Sequence, residues 1–242
     1  MGIVSKIINN ILEAIYPSKC FGCDEIIPMG ENLCDYCHEM ISKTGTDNLC
    51  KVCGCVKNDC QCKHHVFHFT GTTAPFYNEG IAQKAMYDFK FNHKIQVSDF
   101  FAKHMAIAVK NNFHHIEFDA VVYVPMLFSK ELKRGYNQSR ELALKLAKIL
   151  DVHLCENALG CNPKSKAQHK ADYKERFENV KGLYYPNISL SGRTVLLIDD
   201  IKTTGATLDE CAKALFKAGA NDVYCVTALT TKKKDKTKKE SR

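Results

Sequence analysis

The stretch "RTVLLIDDIKTTGATLDECAKAL", Arg193 to Leu215, constrains the fold more than any other part of the chain. Thr194 to Asp199 read as a strand whose apolar run leaves neither face polar, and such strands are covered on both sides, as in parallel sheets. Asp199 and Asp200 then stand at the carboxyl edge of that strand, where open α/β sheets bind their ligands. Thr203, Thr204, Gly205, Ala206 and Thr207 supply small side chains, hydroxyls and backbone amides, and a helix follows that ends at Gly219. A helix N-terminus with unpaired amides attracts a phosphate. Two acids beside a phosphate would repel it unless they accept hydrogen bonds from hydroxyls. A ribose 5-phosphate meets both conditions, with its hydroxyls at Asp199 and Asp200 and its phosphate in the loop.

The chain from Phe67 onward supports that reading. Helical periodicity is read over 80–91 and 97–112, a buried strand over 119–125, a helix over 139–150 and a further strand over 222–229. The polar segment from Asn162 to Gly182 shows no steady period. Strands alternating with helices predict an α/β fold, a parallel sheet with flanking helices.

The loop lacks the lysine after glycine of a P-loop and the repeated glycines of a dinucleotide fingerprint. Its fourteen residues "VLLIDDIKTTGATL" resemble instead the PRPP-binding motif of type I phosphoribosyltransferases. That resemblance implies that the two acids hold the ribose hydroxyls and that magnesium accompanies PRPP. A second block, "VPMLFSKELKRGYNQSRELALKLA", is similar to the signature of the ComF (competence protein F) family, the match being carried by Arg134, Gly135, Tyr136, Asn137 and Gln138. Gln168, Arg176, Asn179 and Val180 fit that family's second polar signature. Where relatives place basic residues and a threonine ahead of the glutamine, this chain has "CNPKSKAQ", with Ser165 as the hydroxyl and Lys164 and Lys166 displaced. Lys133, Arg134, Tyr136, Gln138, Gln168 and Arg176 are thus candidates for contacting pyrophosphate or nucleic acid. Arginine pairs well with phosphate, whereas Tyr136 has two readings, a stacking face for a base or a ring in the core.

Nine of the thirteen cysteines fall between Cys20 and Cys62. "CFGC" and "CDYC" set Cys20, Cys23, Cys34 and Cys37 in two C-x2-C knuckles, a spacing that suits one tetrahedral, closed zinc site. Cys50, Cys53, Cys55, Cys60 and Cys62 offer a second ion four thiols and leave one over. Adjacent knuckles sharing an ion and crossed knuckles are both compatible with the spacing. The expected metal ligands are Cys20, Cys23, Cys34, Cys37, Cys50, Cys53, Cys60 and Cys62, around one or two structural zinc ions. His64, His65 and His68 read as solvated, and Cys155, Cys161, Cys211 and Cys225 as core or surface thiols. The cysteine-rich region is also where the ComF resemblance implies a double zinc ribbon.

Of the net charge of +7, the tail Lys232 to Arg242 carries +5, from seven basic and two acidic residues. The body is nearly neutral, which excludes a globally basic nucleic-acid binder. Ile3, Val4, Ile7, Ile8, Ile11, Leu12 and Ile15 predict an amphipathic helix. No apolar run reaches the roughly 18 residues of a membrane span, and no signal peptide is read, so a cytoplasmic protein is expected. The predicted organisation is a helix and double zinc ribbon over 1–65, a type I phosphoribosyltransferase-like domain over 66–231 and a basic tail over 232–242. The ComF resemblance implies a protein that handles incoming single-stranded DNA in natural transformation, alongside DNA-uptake machinery. The alternative is an active phosphoribosyltransferase passing ribose 5-phosphate from PRPP to a base or amine.

Overall fold

The structure, a computed structural model, describes residues 17–45, 48–163 and 173–232. The helix expected over 3–15, Gln168 and nearly all of the lysine tail lie outside the described residues.

A five-stranded sheet organises the chain, and every pairing in it is parallel. β1 (Gly71–Thr73) and β2 (Phe76–Tyr77) run in line along one side of β7 (Asp222–Thr230). β7 pairs on its other side with β6 (Thr194–Lys202), and β6 with β3 (Ala120–Tyr123). Helices α2 (Gly80–Phe91), α3 (Val97–Asn112) and α5 (Gln138–Leu150) occupy the sequence between β2 and β6, as does the short α4 (Phe128–Arg134). α7 (Ala206–Lys217) connects β6 to β7. The expected α/β class with flanking helices is what forms. β6 runs three residues past the predicted end because its pairing with β7 continues to Lys202 opposite Thr230. The polar segment holds a helix not expected there, α6 (Tyr173–Val180), leading into an antiparallel ribbon of β4 (Leu159–Cys161) with β5 (Tyr184–Pro186).

Alternate residues of β6 point into different cores. Leu196 and Ile198 join α2, α3 and α5 on one face, and Val195 and Leu197 join α7 on the other. All four are fully buried. The cysteine-rich segment, including α1 (Asp35–Met40), takes part in both cores. Cys20, Phe21 and Cys37 lie in the first, with Phe21 edge-on to Phe100, while Cys53 lies in the second beside Phe67 and Phe69. The two cysteine clusters therefore flank the sheet.

Candidate functional site

The site grows from the end of β6. Asp199 and Asp200 are both partly buried there. Asp199 Oδ1 accepts from the Ser139 hydroxyl at 2.9 Å and from the Asp200 amide at 2.9 Å. Asp200 is paired with Lys90 of α2 at 2.8 Å, and the two side chains are only 15% and 16% exposed. Burial, and after it the adjacent Asp200 carboxylate, push Asp199 up to about 7, against the opposing pull of the Asp200 amide, Ser139 and Lys90. The pair can thus present one carboxylate held by a lysine and one that gains or loses a proton near neutrality.

The loop after them turns at Gly205, whose φ of +84° lies in the left-handed region. A Cβ at this position would also stand 3.0 Å from Phe67. Both constraints require glycine. The amides that open α7 belong to the first turn, whose donors have no intrahelical acceptor, and they face the same end of the molecule as the acids. Ala206 N–H reaches the Thr204 hydroxyl at 3.4 Å, Thr203 is exposed, and Thr207 is partly buried. Asp199, Asp200, Thr203, Thr204, Gly205, Ala206 and Thr207 thus sit consecutively around one strand-to-helix turn.

The second block plays a different part from the one expected. Asn137 caps α5, its Oδ1 accepting from the Ser139 and Arg140 amides at 2.9 and 3.4 Å, and its Nδ2 donates to the Val124 carbonyl at the end of β3. That cap sets Ser139 against Asp199. Tyr136 is buried beside Phe89, with its hydroxyl donating to the Phe89 carbonyl, so a base finds no free face on it. Of its two readings, the core ring is the one observed. Gln138 is fully buried, accepting from Arg134 at 2.9 Å and donating to the Tyr136 carbonyl, and it is spent on the scaffold rather than offered to a ligand. Arg134 lies over the Phe91 ring, while Lys133 is exposed. Arg176 is exposed on α6, which packs on α7.

The cysteines fall into two sets of four, Cys20, Cys23, Cys34 and Cys37, and Cys50, Cys53, Cys60 and Cys62, each with ligand atoms within 4.8 Å of one another. Closest sulfur pairs stand at 3.7 to 3.8 Å. A tetrahedron with zinc–sulfur bonds of about 2.3 Å has edges of about 3.8 Å, so both sets fit zinc. Adjacent knuckles share a set. Cys55 is the thiol left over, and it points at the phosphate loop: Lys202 Nζ lies 3.6 Å from its sulfur and donates to Gln61 at 2.8 Å. Gln61 in turn donates to the Thr203 carbonyl at 3.0 Å. The expectation of solvated histidines holds for His64 and for the half-exposed ring of His68, and fails for His65. His65 and His68 bond Asp209 of α7, which is fully buried, and the His68 amide does so too at 2.6 Å. Burial alone would raise Asp209, but these donors and Lys213 hold it below the ordinary carboxylate range.

Lys90, Ser139, Gln61 and Lys202 were invisible as site residues in the sequence. Ser139 and Lys202 stood inside recognised motifs, but nothing there showed that Ser139 meets Asp199 or that the Lys202 side chain turns away into the cysteine-rich segment.

A phosphoribosyl transferase domain model matches residues 136–242. Competence protein F of Haemophilus influenzae is 29% identical over 141 residues, covering 56% of this chain and 62% of that protein. DNA utilization protein YhgH of Escherichia coli is 30% identical over 110 residues, covering 45% and 48%. Competence protein ComFC of Bacillus subtilis is 25% identical over 200 residues, covering 78% and 80%. The match thus spans about half to three-fifths of the first two relatives. The resemblance to competence protein F and to phosphoribosyltransferases, carried in the sequence by two short blocks, extends well beyond them.

Proposed function

We propose that this chain, a homologue of competence protein F with a phosphoribosyl transferase domain, holds PRPP or another ribose phosphate at Asp199–Thr207 and handles single-stranded DNA during uptake. The observation that carries the ribose-phosphate half is the joining, at one strand end, of two acids with hydroxyl-bearing and amide-bearing residues at a helix start. Asp199 and Asp200 accept from the ribose hydroxyls, the 203–207 turn receives the 5-phosphate, and Lys133, exposed at the end of α4, is left to pair with the pyrophosphate. Magnesium bound with PRPP would supply positive charge against the pyrophosphate, while Lys90 fixes Asp200 and Ser139 orients Asp199.

The DNA half rests on the relatives, whose names speak of competence and DNA utilization. A cytoplasmic location follows from that role, and no described helix is long and apolar enough to cross a membrane. The test is calorimetry of PRPP on the zinc-loaded protein, with and without magnesium, beside Asp199→Asn with Asp200→Asn. Magnesium-dependent binding that the double variant loses while staying folded is the expected result. A folded wild-type protein that binds no PRPP would refute the ribose-phosphate assignment.

A further inference from the structure

A cavity of about 410 Å³ lies away from the phosphate turn, between the second cysteine cluster and the C-terminal end of α3. Its place in the fold is set by register. Tyr224, which lines it, is paired with Gly71 and Leu196, whereas Thr230 is paired with Lys202 at the phosphate turn. Six residues of β7 separate the two levels, about 20 Å at the usual strand rise.

The lining has a consistent chemistry. Lys51 and Lys57 stand on the cysteine-rich side and His114 and His115 on the other, all four are exposed, and none of the described lining residues is an acid. Asn111 adds an exposed amide and Tyr224 a partly exposed ring. Thr72 closes one wall of the cavity at 4% exposure, with its hydroxyl buried beneath the surface. The site is also rigid. Gly71 lets the Lys51 carbonyl and the Phe113 and Tyr224 rings close in, since a Cβ there would meet them at 3.0 to 3.3 Å.

We infer that this groove binds a nucleoside phosphate. The lysines take the phosphate, the Asn111 amide takes polar edges of the sugar or base, and the Tyr224 ring and the histidine pair offer flat surfaces to the base. Volume and lining suit a ligand of that size. The same chemistry is presented by a free mononucleotide and by successive nucleotides of a single strand. For a strand, the second cysteine cluster makes a bridge: Cys50 and Gly54 line the groove, while Gln61 of the same segment holds the phosphate turn. The groove does not depend on the ribose-phosphate reading of Asp199–Thr207.

The experiment titrates the full, zinc-loaded chain with thymidine monophosphate and, separately, with an eight-residue oligothymidylate over a range of salt. Lys51→Gln with Lys57→Gln should weaken whichever ligand binds by about tenfold and lower the log–log salt slope for the oligonucleotide by about 1.4, two contacts of about 0.7 each. Binding of the mononucleotide identifies a free-nucleotide site, and binding of the oligonucleotide alone identifies a strand-binding groove. Wild-type binding that the lysine variant keeps, or that PRPP displaces, overturns the groove while leaving the phosphate turn intact. Absence of binding by either ligand overturns it outright, and PRPP calorimetry then reports separately on the other site.

Discussion

Asp199 shows how a single residue's surroundings set the conditions under which the site works. With its carboxyl pushed up to about 7, it is a good acceptor for a ribose hydroxyl only above that pH. PRPP affinity should therefore rise between pH 6 and pH 8. Ser139→Ala removes a donor that favours the ionised form, so the midpoint should move to higher pH, which calorimetry across that range would read. The linkage to stability has the opposite sense. A carboxyl whose folded value lies above its ordinary 3.8 destabilises the fold progressively as pH rises from about 4 to about 7. Asp199→Asn should consequently be more resistant to denaturant than wild type at pH 8 while binding PRPP poorly. The acids themselves were legible in the sequence, because an apolar strand that ends in charge announces itself. Lys90 and Ser139 were not, since each arrives from a helix remote in sequence and only the packing of α2 and α5 on β6 brings it within reach.

At the scale of elements, the helices over 80–91 and 97–112 match the sequence reading at both ends. Their periodicity is strong and their apolar faces are buried. The "RGYNQ" block was equally visible as a pattern, and in the structure most of its polar atoms serve the scaffold. A run of polar residues beside a strand end suggests ligand contacts, yet Tyr136, Asn137 and Gln138 are buried and use their polar atoms to join α4, α5, β3 and α2. Support for the phosphate turn comes instead from the second cysteine cluster. Gln61 satisfies both the Lys202 ammonium and the Thr203 carbonyl, and Lys202 is 2% exposed. Gln61→Leu leaves that ammonium without its oxygen acceptor, and hydrogen bonds to charged groups contribute about 1.5 to 3 kcal/mol. The variant should lower both the melting temperature and PRPP affinity, the latter by several-fold in calorimetry. An unchanged affinity at reduced stability would mean that the turn keeps its shape without the cysteine-rich segment.

For the whole molecule, the arrangement of the cysteines decides whether the chain behaves as one unit or two. Composition changes near residue 65, and from the sequence that change looks like a boundary. In three dimensions the packing crosses it on both faces of the sheet, with Cys20, Phe21 and Cys37 in one core and Cys53 in the other. Asp209 strengthens the second junction, because a buried carboxylate on α7 takes its donors from His65 and His68. A one-dimensional pattern could show four knuckles but not that they would sit astride the sheet. The energetic consequence is large. Zinc in small zinc-folded peptides contributes about 10 to 16 kcal/mol, comparable to or above the roughly 5 to 15 kcal/mol that holds an ordinary domain folded. Loss of metal from either cluster is therefore expected to strip part of the packing from one of the two cores and to unfold the sheet with it. Scanning calorimetry of the full chain should give a single transition in the zinc-loaded protein, shifted down by tens of degrees in chelator and restored by added zinc. Cys20→Ser and Cys53→Ser should each produce the same loss, since the two clusters pack into different cores and neither can substitute for the other. Two separate transitions, with the later one unmoved by chelator, would instead make the cysteine-rich segment an independent unit resting on a sheet that folds without it.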